Sequence, residues 1–433
     1  MRSTGSLAAL LLLLLSSAPL RAEDAALDLP LGDPARREKN LAPVLDAVLD
    51  TRTGSEASPA EVVRKLSKTR LVFLGESHTN AEFHRVQLQV VRELHRAGRK
   101  VLVGLEMYPV SEQAALDLWN GGTLTEAEFL EKSSWYRNWG YHWNYYREIF
   151  LFCRDAKIPL HGVNVPREVV SDVRKKGFDG LSEEQKALLP PKIDTESAEH
   201  RRLFKAFFED SDSMHSASMP EAMWDGMFRA QCTWDAAMAW NAVSALRKAN
   251  DPGAVMVVLI GAGHAAYGLG AQRQAALWFD GAAASIIPIP VLDEKDRPVR
   301  VRASYADFVW GVPKETDPAY PVVGFSTRDP KDGSEGWPVI DVAKDSVAEA
   351  AGFKFDEVIE DAGVSGVTTK FKDRKGGAKL LDKLRRGDVL VVRWVDRGEP
   401  LEPRVPGFSS RPFPACHPCK NRYCSWRTSL RCL

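Results

Sequence analysis

The chain has 433 residues, 44% hydrophobic and 27% charged, with 58 basic side chains against 58 acidic ones. At roughly 100–200 residues per domain this is material for two or three domains with a sizeable core. The balanced charge offers no basic face, so neither nucleic acid nor an anionic membrane is expected as a partner.

The first segment reads as a targeting signal. Arg2 precedes a leucine-dominated run from Leu7, and small residues lead to Leu20-Arg21-Ala22. That pattern predicts a signal peptide over 1–22, cut near Ala22. The run is shorter than the roughly 20 residues of a membrane-spanning helix. No cysteine follows it to carry a lipid anchor. The expectation is an exported protein of the periplasm or cell envelope.

Short apolar runs then alternate with helical patterns. Arg70–Leu74 ends in Gly75-Glu76-Ser77-His78, and a helix with Val86, Val90, Val91 and Leu94 on one face follows up to Gly98. Val101–Leu105 ends in Glu106-Met107, with helical segments over Ser111–Trp119 and Thr125–Lys132. Ile158–Val163 ends in Asn164-Val165-Pro166. A long helix is predicted over about Pro220–Asn250. Ala254–Ile260 ends in Gly261-Ala262-Gly263-His264, and a fifth run covers Ala284–Ile289. This alternation predicts an α/β domain with a mainly parallel sheet and flanking helices, over 60–293. Pro, Asp and Gly then mark a linker over 294–319, before a smaller, β-rich α+β domain over 320–405.

In parallel sheets, ligands bind beyond the carboxyl ends of the strands. Four runs here end in residues able to do chemistry: Glu76 with His78, Glu106, Asn164 and His264. Glu76 and His78, with His84 in the following helix, suit a metal or acid/base cluster. The plain alternative is a helix cap at Ser77 or Thr79. The glycines beside His264 permit close backbone approach to a ligand. Tyr267, three residues on, could ligate ferric haem iron as a phenolate, with His264 hydrogen-bonding to it. Its alternative is an aromatic half-buried under a loop. Gln231 and Asp235 share a helix face, among Met223, Trp224, Met227, Phe228, Trp234, Met238 and Trp240. Such a stripe is usually core, and would equally wall a porphyrin pocket. A second aromatic cluster, from Trp135 to Tyr146, reads as packing. Cys153 and Cys232 read as buried free thiols.

Residues 60–293 resemble the ChaN-like haem-binding family of the haem-uptake and Tiki superfamily. The resemblance is carried by Gly75-Glu76-Ser77-His78 with His84, by Leu105-Glu106-Met107, and by Trp143 and Tyr146 ahead of Ile158-Pro159. Asn164-Val165-Pro166, Gln231-x-x-x-Asp235-x-x-Met238-Ala239 and Gly261-x-Gly263-His264 complete it. It implies an α/β fold, a site at the strand ends, and a haem-binding protein of the cell envelope engaged in haem uptake or handover. The expected cofactor-binding set is Tyr267, His264, Glu76, His78, Asn164, Gln231 and Asp235, with Tyr267 on the iron. A homodimer and an envelope receptor or transporter are the partners this implies. The alternative is a metal-dependent hydrolase, a peptidase or esterase. There Glu76, His78, Glu106 and His264 would be catalytic, and a divalent metal would sit at Glu76, His78 and His264.

Trp337–Val342, Asp345–Gly352 and Arg386–Trp394 resemble a bacterial PDZ domain. That implies capture of a peptide or protein C-terminus by strand addition. The sequence departs from the usual pattern at Phe355-Asp356-Glu357. The tail over 409–433 is basic and holds Cys416, Cys419, Cys424 and Cys432. Cys416, His417 and Cys419 look superficially like a zinc site, but no second ligand pair accompanies them. The abrupt change in composition reads as a non-native end.

Overall fold

The computed structural model describes residues 26–209, 220–314 and Tyr320, with three later strands. The strands are β1 (Asn40–Leu41), β2 (Val48–Asp50), β3 (Ser55–Ala57), β4 (Leu71–Glu76), β5 (Val101–Pro109), β6 (Leu160–Asn164), β7 (Val255–Gly261), β8 (Ala283–Pro290), β9 (Val301–Arg302), β10 (Phe308–Val312), β11 (Phe325–Thr327), β12 (Trp337–Val342) and β13 (Val358–Ile359). The helices are α1 (Pro59–Lys65), α2 (Ala81–Arg96), α3 (Gln113–Asn120), α4 (Glu126–Lys132), α5 (Trp135–Asn138), α6 (Arg147–Asp155), α7 (Arg167–Lys176), α8 (Glu183–Ala187), α9 (Ala198–Glu209), α10 (Glu221–Lys248), α11 (Ala262–Ala265) and α12 (Ala271–Ala275). Two compact units divide the chain. One runs to Glu76 and adds Gln89–Glu106 and Val163–Lys314; the other holds Ser77–Leu88, Met107–Gly162 and the chain from Glu315.

An eight-stranded sheet runs in the order β3-β2-β10-β8-β4-β7-β5-β6. Strands β10, β8, β4, β7 and β5 are parallel to their neighbours in that series, whereas β2 pairs antiparallel with β3 and β10. Leu71-Val72-Phe73-Leu74 and Val255–Ile260 are buried throughout. Apolar side chains on both faces are what the centre of a parallel sheet requires. The expected α/β fold, mainly parallel with flanking helices, is the observed one.

Strand order places the site. β4 lies between β7 and β8, and β5 lies beyond β7. Consecutive strands β4 and β5 are thus separated by β7, and a crevice opens where the connections diverge at the carboxyl ends. Helix α10 covers the sheet there. Its Met238, Ala239, Ala242, Val243 and Leu246 pack in one core with Leu71, Phe73, Met256 and Val258. Full burial of each large apolar side chain contributes about 1.5–3 kcal/mol. Gly226 lets α10 approach α7 closely, since a Cβ there would sit 2.6 Å from the Arg174 carbonyl oxygen.

Two sequence expectations are corrected here. The linker predicted over 294–319 contains β9 and β10, and β10 is an interior strand of the main sheet. The domain does not begin at 60, because β2 and β3 already belong to that sheet. Residues 293–298, with Asp293, Asp296 and Pro298, form a tight turn in which Asp293 accepts from Lys295 and Arg297. Composition there signals a turn, and Phe308–Val312 beyond it is an ordinary apolar strand.

The second unit has an aromatic core. Tyr108, Trp119, Phe129, Trp135, Trp143, Tyr146 and Phe150 are buried, many edge-to-face. Their polar ends are satisfied: Tyr108 Oη donates to Ser133, Trp135 Nε1 to the Tyr141 carbonyl, and Trp143 Nε1 to Glu126. The aromatic cluster from Trp135 to Tyr146 is therefore mainly packing, as expected. Helix α4 starts with a capping box between Thr125 and Glu128. Helix α2 is capped by Asn80, whose Oδ1 accepts from Glu82 N, rather than by Ser77 or Thr79.

Strands β11, β12 and β13 form an antiparallel sheet in that order. Otherwise the PDZ-like expectation over 320–405 lies outside the described residues. So do the signal peptide over 1–22 and the tail over 409–433. Among the described residues no helix is long and apolar enough to cross a membrane.

Candidate functional site

The strand ends gather a buried polar cluster. Glu76 closes β4, in register with Gly261 on β7, and is almost fully buried. The preceding Gly75 is required by space: a Cβ there would lie 2.9 Å from Ile287. From β5, Glu106 turns its Oε2 to accept the Gly261 N–H at 2.5 Å. Its Oε1 lies 3.4 Å from His264 Nε2. His264 Nδ1 lies 2.5 Å from Asp235 Oδ1 on α10 and 2.9 Å from Gln231 Nε2. Gln231 and Asp235, one turn apart, thus both address His264, as their spacing suggested. Gly270 closes the back, because a Cβ there would meet the His264 carbonyl oxygen at 2.2 Å and Asp235 Oδ1 at 3.2 Å.

Asp235 also faces a second histidine. His200 of α9 puts Nε2 3.3 Å from Asp235 Oδ2, an ion-pair distance without hydrogen-bond alignment. Arg273 Nη2 approaches His200 Nδ1 at 3.3 Å. A guanidinium can only donate, so Nδ1 accepts and the His200 proton sits on Nε2, toward Asp235. Arg273 is held by an ion pair to Asp194 and by the Leu269 carbonyl oxygen.

The one carboxylate leaves its two histidines in opposite states. Burial lowers His200 to about 4; Asp235 opposes this, and Arg273 and His264 reinforce it. Burial would lower His264 too, but Glu106 and Asp235 lift it to about 10. At neutral pH His264 is an imidazolium clamped between two carboxylates, and His200 is neutral. An imidazolium carries a proton on both nitrogens, so Nδ1 donates to Asp235 and Nε2 faces Glu106.

Cys232 lies 3.7 Å from His200 Nδ1, giving a Cys232–His200–Asp235 row. All three are buried, and burial followed by Asp235 pushes the thiol well above its usual range. A protonated thiol without access is not a nucleophile. Cys153 and Cys232 are both buried and free, as expected.

The other candidates are placed as follows. Asn164 caps a strand end: Nδ2 donates to the Glu106 carbonyl oxygen and Oδ1 accepts from Val165 N. His78 belongs to the second unit, half-buried against Trp139 and Tyr141 at 4.6 and 4.8 Å between ring centres. His84, in the same unit, contacts Gln87 and the His78 carbonyl. Tyr267 is buried, and its hydroxyl donates to the Ala26 carbonyl oxygen at 2.7 Å and accepts from Leu29 N at 3.0 Å. The expected Tyr267–His264 hydrogen-bonded pair is therefore corrected. His264 spends its nitrogens on Asp235, Gln231 and Glu106, and Tyr267 is capped by the chain ahead of β1. Among the described residues no group of three or more His, Cys, Asp and Glu is placed to hold a metal ion. Both His264 nitrogens face carboxylates, Nδ1 toward Asp235 and Nε2 toward Glu106.

His200, Arg273 and Asp194 were not singled out from the sequence. His200 stands in no motif, and its partner Asp235 is on another helix. A lone histidine inside an amphipathic helix was the only available signal.

Similarity to known proteins follows this geometry. One curated relative is Protein RETICULATA-RELATED 5, chloroplastic, of Arabidopsis thaliana, 28% identical over 137 residues, which are 30% of this chain and 18% of the relative. The chain thus spans about a fifth of that relative's length. A solved structure titled as cofacial heme binding to ChaN of Campylobacter jejuni is 18% identical, with TM-score 0.48, covering 61% of this chain and 95% of that one. An erythromycin esterase in its open conformation is 13% identical, with TM-score 0.35, covering 70% of this chain and 83% of that one. Residues 62–274, which span β4 to β7 and the whole polar cluster, match the family model described as haem-binding uptake, Tiki superfamily, ChaN.

Proposed function

We propose that the chain binds haem through its α/β region. The observation that carries this is the match of residues 62–274 to a haem-binding uptake family, a span that includes every residue of the strand-end cluster. Tyr267 is the proposed iron-side donor. When bound, ferric haem supplies a Lewis-acidic iron that favours an anionic oxygen donor. Burial and the nearby Asp28 hold the Tyr267 phenol above its usual range, while the Leu29 N–H, Arg302 and Arg202 oppose that rise. A deprotonated Tyr267 keeps the Leu29 bond and loses the Ala26 one, because a carbonyl cannot donate. The strand-end cluster is assigned a supporting part: it holds Gly261 and His264, at the end of β7 and in α11, just ahead of Tyr267.

The wider role we assign is haem holding or handover in the cell envelope. It is supported by the leader-like residues 1–22 and the PDZ-like pattern over 320–405, which suits a partner's peptide tail. The test is absorption-monitored titration of the full chain with ferric haem. A saturable Soret shift at one haem per chain, or per pair of chains, is expected. A linear, unsaturated change would sink the reading.

A further inference from the structure

A cleft of about 480 Å³ opens over α9, lined by Leu29, Ala198, Arg201, Arg202, Lys205 and Ala206. The five helical residues recur at three- and four-residue steps and so share one face. Ala198 and Ala206 are short and leave the space; the three cations between them set its charge. Two are held in place. Arg201 is bound by Glu221 and Asp225, with its guanidinium over the Phe228 ring. Lys205 lies 3.5 Å from Glu221 and over the Trp224 ring. Arg202 is exposed. Three positive groups meet the carboxylates of Glu221 and Asp225, and Asp28 beside Leu29 is already paired with Arg302, so the rim keeps an excess of positive charge.

The apolar part of the cleft is equally specific in position. Leu29 lines it, and the Leu29 N–H is the donor to Tyr267 Oη. The cleft and the covered phenol thus share Leu29. Burial and Asp28 raise the Tyr267 phenol, and the charges of Arg302 and Arg202 work against that rise. A ligand here meets three cations and the apolar side chains of Leu29, Ala198 and Ala206.

We propose that this cleft seats the carboxylates of a planar anionic amphiphile, which, resting on the haem reading above, are the two propionates of haem. Arg202 is the principal contact, with Lys205 and Arg201 beside it. Guanidinium–carboxylate hydrogen bonds are strong, so esterified propionates would lose most of this contribution.

Ferric haem and its dimethyl ester are titrated into the wild-type chain and into Arg202→Glu, a surface change whose unchanged melting curve confirms folding. About a tenfold weaker affinity is expected for the ester on wild type, and about the same loss for haem on Arg202→Glu. The ester should bind wild type and variant alike. Equal binding of haem and ester to wild type, with no loss in the variant, overturns the cleft proposal while leaving haem binding intact. No saturable binding of haem to wild type overturns the haem reading itself, and this proposal with it.

Discussion

Asp235→Asn keeps the shape of a fully buried side chain and removes the charge that both histidines face. His264 is lifted to about 10 chiefly by Glu106 and Asp235 against its burial. A rise from about 6.5 is worth at most about 4–5 kcal/mol to the folded state. Because the folded value lies above the unfolded one, this gain is complete below about pH 6.5, shrinks as pH rises, and is gone above about pH 10. The variant keeps Glu106 and loses the closer carboxylate, so roughly half the gain disappears, about 2–3 kcal/mol near pH 6.5. Urea unfolding followed by tryptophan fluorescence across this pH range measures the deficit directly. It should be largest at the acid end and close toward pH 10. A deficit constant with pH would refute a charged His264 between two carboxylates and leave only lost packing.

Other consequences follow from the same geometry. His200 is held at about 4, below its unfolded value, so its contribution is present above about pH 6.5 and lost as pH falls toward 4. Wild type should lose about 3 kcal/mol over that interval, and His200→Gln should lack this component of the acid slope. Gly270→Ala forces a Cβ against the His264 carbonyl oxygen. It should lower stability by about 1–3 kcal/mol and shift the His264 titration seen by proton NMR. Tyr267→Phe strips the Leu29 N–H and the Ala26 carbonyl of their partner, which should cost about 1–3 kcal/mol and speed amide exchange at Leu29. Unchanged exchange there would show that Tyr267 does not hold the segment down.

The sequence was most legible where one signal sufficed. Leu71–Leu74 and Val255–Ile260 are continuous apolar runs, and buried parallel strands need nothing else. The polar residues at their ends marked the site because topology, not proximity in sequence, brings strand ends together. Gln231 and Asp235 were readable through helical spacing alone. Strands β2 and β3 have three residues each, too few to show a period, and they exist because β10 offers an edge. β10 itself was hidden by its neighbours, since Pro and Asp on both sides of it suggested a connection. Tyr267 shows the limit best. Its residue type and glycine-rich surroundings were visible, but its cover comes from Ala26 and Leu29, far earlier in the chain. His200 was invisible for the same reason.

The most direct test of the central claim is the absorption and resonance Raman spectrum of the haem-loaded chain, compared with Tyr267→Phe. We predict a saturable Soret band in wild type with iron–phenolate vibrations, and loss of those vibrations with weakened binding in the variant. A wild-type chain that takes up no haem at stoichiometric concentration would contradict the account.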